Sequence, residues 1–186
     1  GPTQLYVGAD EGSVLRKDEW SAAQFCEAAP IVWFGTSIAE GGAAQRPGAQ
    51  YLNMLTRSLK RVVINAAFAG PGQEQLNITA MIAKMKGQPC GNESTGLSPA
   101  AIVIDCLPDL RGAANHAVLS PRLKADISFL RAHGHSATPI VLVEGTDYTD
   151  AWAMPGVAAE SHTRRLLLRA TFHELIDQGE QHLHYV

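Results

Sequence analysis

Residues 31–46 read IVWFGTSIAEGGAAQR. Four large apolar side chains arrive in a row, a glycine follows, and the hydroxyl pair Thr36-Ser37 stands directly behind it. An unbroken apolar run of this length, bounded by a turn signal, reads as a strand covered on both faces. The turn behind it calls for small residues, and Ser or Thr there usually serves as a turn or cap residue. A serine at the carboxyl end of a parallel strand has a second use, as a nucleophile. The remainder of the chain has to choose between the two.

Working outward, four more runs have strand length: VVIN (62–65), AIVIDC (101–106), PIVLVE (139–144) and HLHYV (182–186). Segments of helical character separate them. Pro47 is placed as a first-turn proline for AQYLNMLTRSLKR (49–61), where Tyr51, Leu52, Leu55 and Leu59 form one stripe. QEQLNITAMIAKMK (73–86) offers Leu76, Ile78, Met81, Ile82 and Met85. SPRLKADISFLRAH (120–133) begins with a serine cap and a proline at the first helical position, followed by Leu123, Ile127 and Leu130. A last helix, about 155–178, carries Leu166, Leu167, Ala170, Phe172, Leu175 and Ile176, with Gly179 as its stop. Strand and helix alternating in this way predict a doubly wound α/β sheet. Two stretches fall outside the alternation. Residues 1–29 form a lead-in with one possible strand, TQLYVG, and a short helix near 18–28. Residues 86–100, KGQPCGNESTGLSPA, read as a surface insertion.

The totals set bounds. A chain of 186 residues, 46% hydrophobic and 18% charged with net charge −3, is expected to fold as one domain. No basic excess points to nucleic acid, and no run reaches the roughly 18 apolar residues of a membrane helix. The opening GPTQLYV has neither a charged n-region nor an h-region, so no signal peptide is expected in it. Cys26, Cys90 and Cys106 are too scattered for a disulfide framework or a zinc site, and Cys106 reads as a small core residue. The triplets at Asn77 and Asn92 permit secretion without requiring it, so the compartment is left open.

Ligands of open parallel sheets collect at the carboxyl ends of the strands. Three of those ends are unusual here: Gly35-Thr36-Ser37-Ile38, then Asn65 through Gly72, then Asp105-Cys106-Leu107-Pro108-Asp109. A serine on that rim becomes a nucleophile if a base takes its proton and N–H groups are aimed at the oxyanion.

The segment GTSIAEGGAAQRPGAQYLNMLTRSLKRVVINAAFAGPG resembles the opening of the SGNH (GDSL-like) hydrolases, in the branch carrying GTSI in place of GDSL. AIVIDCLPDL is similar to a family stretch ending in CLPN, and TPIVLVEGTDYTDA and the early LYVGAD extend the likeness. It covers about residues 30–186. The resemblance implies a three-layer α/β/α sandwich around a five-stranded parallel, flavodoxin-like sheet. It also implies an acyl or acetyl esterase that needs no cofactor or metal and acts on a small ester. Ser37 becomes the nucleophile and its N–H one oxyanion donor. Ala67 stands where the family has a donor glycine, and Asp109 where it has a donor asparagine. An ionised Asp109 has no N–H to give. The family's Asp-x-x-His pair has no counterpart before Val186, so the chain is expected to stop short of that block.

Among the seven histidines, His116 in RGAANHA follows Asp109 on the same rim and is the only local stand-in for a base. His133 and His135 precede strand four at the opposite end, His162 and His173 fall on the last helix, and His182 and His184 decorate the terminal strand. Arg46, Gly70 and Tyr148 are the substrate-contacting candidates. Arg46 is read first as a loop tie through an acidic partner. Tyr148 clusters with Glu144, Asp147 and Asp150 after strand four. Two functions are compatible with this pattern: a serine ester hydrolase, and a non-catalytic descendant of that fold serving as a binding or structural subunit with a protein partner.

Overall fold

The computed structural model describes residues 28–68, 75–85, 99–148 and 151–186. Five strands, β1 (Ile31–Gly35), β2 (Val63–Asn65), β3 (Ala101–Asp105), β4 (Ile140–Leu142) and β5 (Leu183–Tyr185), alternate with helices. The helices are α1 (Ser37–Glu40), α2 (Tyr51–Leu59), α3 (Gln75–Lys84), α4 (Ala113–Ala132) and α5 (Pro155–Asp177). All pairings are parallel and the order is β2-β1-β3-β4-β5, the flavodoxin-like order that the resemblance implies. The lead-in and the 86–100 insertion lie outside the described residues, apart from 28–29 and 99–100.

Val32, Phe34, Ile102, Ile104, Ile140, Leu142 and Leu183 build one core with Ile82 of α3, Leu119, Leu123, Ile127 and Leu130 of α4, and Leu168 and Leu175 of α5. Each such side chain contributes about 1.5–3 kcal/mol on burial. Trp33 and Val63 face the other way, against Ala39, Tyr51, Leu52 and Leu55. Helices therefore cover both faces of the sheet, but unequally. Ile31, Trp33, Val141 and Val143 are only half-buried, so the runs of β1 and β4 alternate in burial, while Ile102, Val103 and Ile104 of central β3 are buried in succession as double coverage predicts.

Three helices differ from their sequence reading. Pro47 opens a 3₁₀ turn, Pro47–Ala49, and α2 proper starts behind Gln50, whose side-chain oxygen accepts the Asn53 N–H at 3.2 Å. Helix α4 begins seven residues before Ser120, so Pro121 is interior to it. Pro121 and Ala117, whose carbonyl loses its usual partner to the proline, are both exposed, so the missing bond falls on the solvent side of the helix. His116, expected in a loop, is consequently helical. In α5 the buried stripe is Ser161, Arg164, Leu168, Thr171 and Leu175, while Leu166 and Ile176 are exposed. Polar side chains hold inward positions because each finds a partner there.

Candidate active site

Gly35 ends β1, and a Cβ on it would lie 2.6 Å from the Ala39 Cβ and 3.3 Å from the Asp105 carbonyl oxygen. Only glycine lets the chain reverse this tightly from strand into α1. Thr36 follows, buried and extended, and Ser37 is the first residue of the helix. Its N–H has no acceptor within the helix, and the Thr36 side chain makes no capping bond. Ser37 is half-buried, and its hydroxyl bonds to no described residue.

The register places the neighbouring loops beside it. Gly35 pairs with Asp105, so β1 and β3 end flush, and Trp33 pairs with Asn65, so the edge strand β2 ends two residues earlier beside them. Ser37, Ala67 and Asp109 all follow the carboxyl ends of adjacent strands, and β1 and β3 flank the switch point of this topology. The Phe68 N–H donates to the Gly35 carbonyl at 3.2 Å, joining the first two loops.

The three positions differ in what they offer. The Ala67 N–H, expected as a free oxyanion donor, is taken by Asn65 Oδ1 at 3.0 Å. Asp109 closes a 3₁₀ turn, Leu107–Asp109, and its Oδ2 is buried without a partner among the described residues. Burial raises the Asp109 carboxyl above the ordinary carboxylate range, against the pull of Arg111. That turn is pinned by Arg164, 4% exposed, whose Nη1 donates to the Leu107 carbonyl at 2.7 Å and the Pro108 carbonyl at 3.1 Å. Its Nη2 donates to Ser161 Oγ at 3.0 Å.

Other candidates are committed elsewhere or lie apart. His116 Nε2 is 3.9 Å from Glu160 Oε1 of α5, and no hydrogen bond joins His116 to Ser37. Glu160 also accepts the Gly112 N–H in front of α4. The Arg111 guanidinium lies 4.4 Å over the Tyr148 ring. Glu144 accepts from Tyr185 Oη at 2.9 Å and from Arg169 at 3.2 Å, and Asp147 pairs with Arg165 at 2.7 Å. The acidic loop after β4 is thus neutralised by α5, and Asp150 lies outside the described residues, as does Gly70. Arg46 has no acidic partner among the described residues, contrary to the loop-tie reading. It is exposed at the mouth of a polar cavity of about 300 Å³, shared with Glu40, Gln50, Asn53 and Asn65.

Three polar anchors escaped the sequence reading. Asp105 accepts from Tyr51 Oη at 3.0 Å and Trp33 Nε1 at 3.4 Å, and the two rings meet edge-on at 5.7 Å. Burial raises both the Asp105 carboxyl and the Tyr51 phenol. Arg164 is the second anchor, and the Gln50–Asn65 amide pair is the third. An apolar stripe ending in an aspartate was the one available signal for the first; the other two carry none.

The sequence model of the GDSL-like lipase/acylhydrolase family matches residues 28–186, spanning every described strand and helix. The chain belongs to the GDSL-like lipase/acylhydrolase family. Solved structures agree on the fold. A protein of Bacteroides ovatus assigned to the GDSL-like lipases superposes with TM-score 0.72 at 21% identity, over 85% of this chain and 42% of its own. The salicylyl-acyltransferase SsfX3 of a tetracycline biosynthetic pathway gives 0.59 at 21% identity, over 95% and 46%. A G-D-S-L family lipolytic protein of Veillonella parvula gives 0.51 at 13%, over 86% and 77%. This GDSL-like chain therefore spans less than half the length of the first two. No curated protein sequence matches it. No described helix is long and apolar enough to cross a membrane.

Proposed function

We propose that this GDSL-like protein performs acyl-ester chemistry at Ser37. The observation that carries the reading is the placement of a half-buried serine, first in its helix, beside the Asp109 loop at the switch point. Ser37 Oγ attacks the ester carbonyl and forms a new C–O bond, while its proton passes to a base. The tetrahedral intermediate then collapses, the alcohol leaves with a proton, and water or another hydroxyl releases the acyl group. The Ser37 N–H faces the developing oxyanion, and Asp109 adds a second donor only in its protonated form, towards which its burial shifts it. Family membership supports the reaction class, and an acyltransferase among the structural neighbours is compatible with either acceptor. His116 Nε2 stands 3.9 Å from Glu160 and bonds neither to it nor to Ser37, so this reading calls for a base other than His116 as it is placed here.

A second reading is a binding subunit that keeps the fold without the reaction. It is favoured by the Ser37 hydroxyl having no partner among the described residues. A p-nitrophenyl acetate series, with and without added imidazole, separates the two. Turnover above a Ser37→Ala control, or its appearance with imidazole, supports the esterase. Activity equal to that control under both conditions supports the binding subunit.

A further inference from the structure

A helix of four residues cannot hold itself, since closing one turn is unfavourable without outside help. In α1 the help is specific. The Ser37 carbonyl accepts the Gly41 and Gly42 N–H groups at 3.1 and 3.0 Å. The Ala39 carbonyl, behind a fully buried side chain, has no such backbone donor. Two side-chain amides meet on it instead: Gln50 Nε2, and Asn65 Nδ2 at 3.1 Å.

Both amides are anchored at their other end. Gln50, 6% exposed, accepts the Asn53 N–H at the start of α2. Asn65 accepts the Ala67 N–H. Gly41 has φ +102°, and a Cβ on it would come within 2.5 Å of Gln50 Cγ, so the clamp leaves no room for a side chain there. Each amide thus uses its N–H on the turn that starts at Ser37 and its oxygen on a different element.

We infer that Gln50 and Asn65 are positioning residues, which fix the Ser37 turn against α2 and against the loop after β2 by clamping the Ala39 carbonyl. The inference rests on Ser37 as the reacting group. Asn65→Asp keeps the acceptor for Ala67 and replaces the donor to Ala39 with a repelling oxygen. Gln50→Glu does the same at α2.

The experiment compares both variants with Asn53→Ala, whose Nδ2 bonds the Pro47 carbonyl at 2.8 Å outside the clamp. Three quantities are read: hydrogen exchange at the Gly41 and Gly42 amides, the rate of Ser37 modification by a fluorophosphonate, and thermal stability. The clamp variants are expected to exchange faster and to lose about tenfold to a hundredfold in labelling rate, as small misplacements of a reacting group do. Added imidazole is present throughout, so that labelling does not depend on the protein's own base. Unchanged exchange and labelling in both variants would overturn the inference, as would an equal loss in Asn53→Ala. A wild-type chain inert to the reagent, with exchange still dependent on the clamp, sinks the esterase reading and with it the positioning role, while leaving a structural clamp.

Discussion

The loops that follow β1 and β3 meet at one rim, but they are held there by opposite means. The Ser37 turn is closed by neutral groups, two amides on one carbonyl and a glycine packed against Ala39. The Asp109 turn is held by a buried cation, Arg164, acting on two carbonyls, and it keeps a carboxylate oxygen without a partner among the described residues. Neutral clamping fixes the backbone without altering the field at the serine. Charged pinning leaves the second loop electrostatically unsettled, with Asp109 poised between a donor and a repelling anion. Charge, more than shape, separates this rim from one that carries asparagine.

The largest effect should come from settling that charge. Asp109→Asn supplies a permanent donor, so the esterase rate at neutral pH should rise by roughly a hundred- to a thousandfold. The parent's activity should fall as pH rises through the raised Asp109 pKa, because only the protonated form donates; the Asn variant should show no such fall. A kcat/KM–pH profile of the two proteins reads both.

Next is the pin. Arg164→Met removes two charge-assisted bonds to this turn, leaving the Leu107 carbonyl with the Leu110 N–H alone and the Pro108 carbonyl with Arg111 Nε alone, and should cost about 2–3 kcal/mol in urea unfolding. Gly35→Ala attacks the neutral side, forcing two backbone-attached carbons apart, at about 2 kcal/mol by the same measurement. If Arg164→Met proved neutral while Gly35→Ala did not, the contrast between the loops would collapse.

The smallest lies away from both loops. Asp126 is 1% exposed and accepts from Thr79 Oγ1 at 2.7 Å, and burial raises its carboxyl from 3.8 to about 6. The folded protein holds that proton more tightly than the unfolded chain. The stability it contributes is therefore complete below pH 3.8 and lost as pH rises through about 6. Asp126→Asn removes that pH dependence, about 3 kcal/mol for such a shift, but buries an amide N–H where Oδ2 has no partner among the described residues, so it should be more stable at pH 7 by only about 1 kcal/mol and flat across that window.

The fold could be read because parallel strands covered by helices leave continuous apolar runs, and IVWF, AIVIDC and PIVLVE are such runs. Ser37 was legible for the same reason, since it follows a strand whose end is marked by glycine. What could not be read was polar burial. Arg164 and Thr171 look like solvent residues until the Leu107 and Leu167 carbonyls are known to lie beside them. The α5 stripe was misplaced on that account. The early start of α4 was hidden because Ser120-Pro121 imitates a helix opening, and that error moved His116 from a loop into a helix. Gln50 and Asn65 gave no periodic signal, because their value depends on one carbonyl that no spacing rule locates.

The central claim is that the hydroxyl at position 37 is the reacting group of this GDSL-like fold. Incubation with a fluorophosphonate in the presence of imidazole, followed by peptide mapping, tests it most directly. A single stoichiometric adduct on Ser37, absent from Ser37→Ala, is the predicted result. An adduct on any other residue, or none at all, would contradict it.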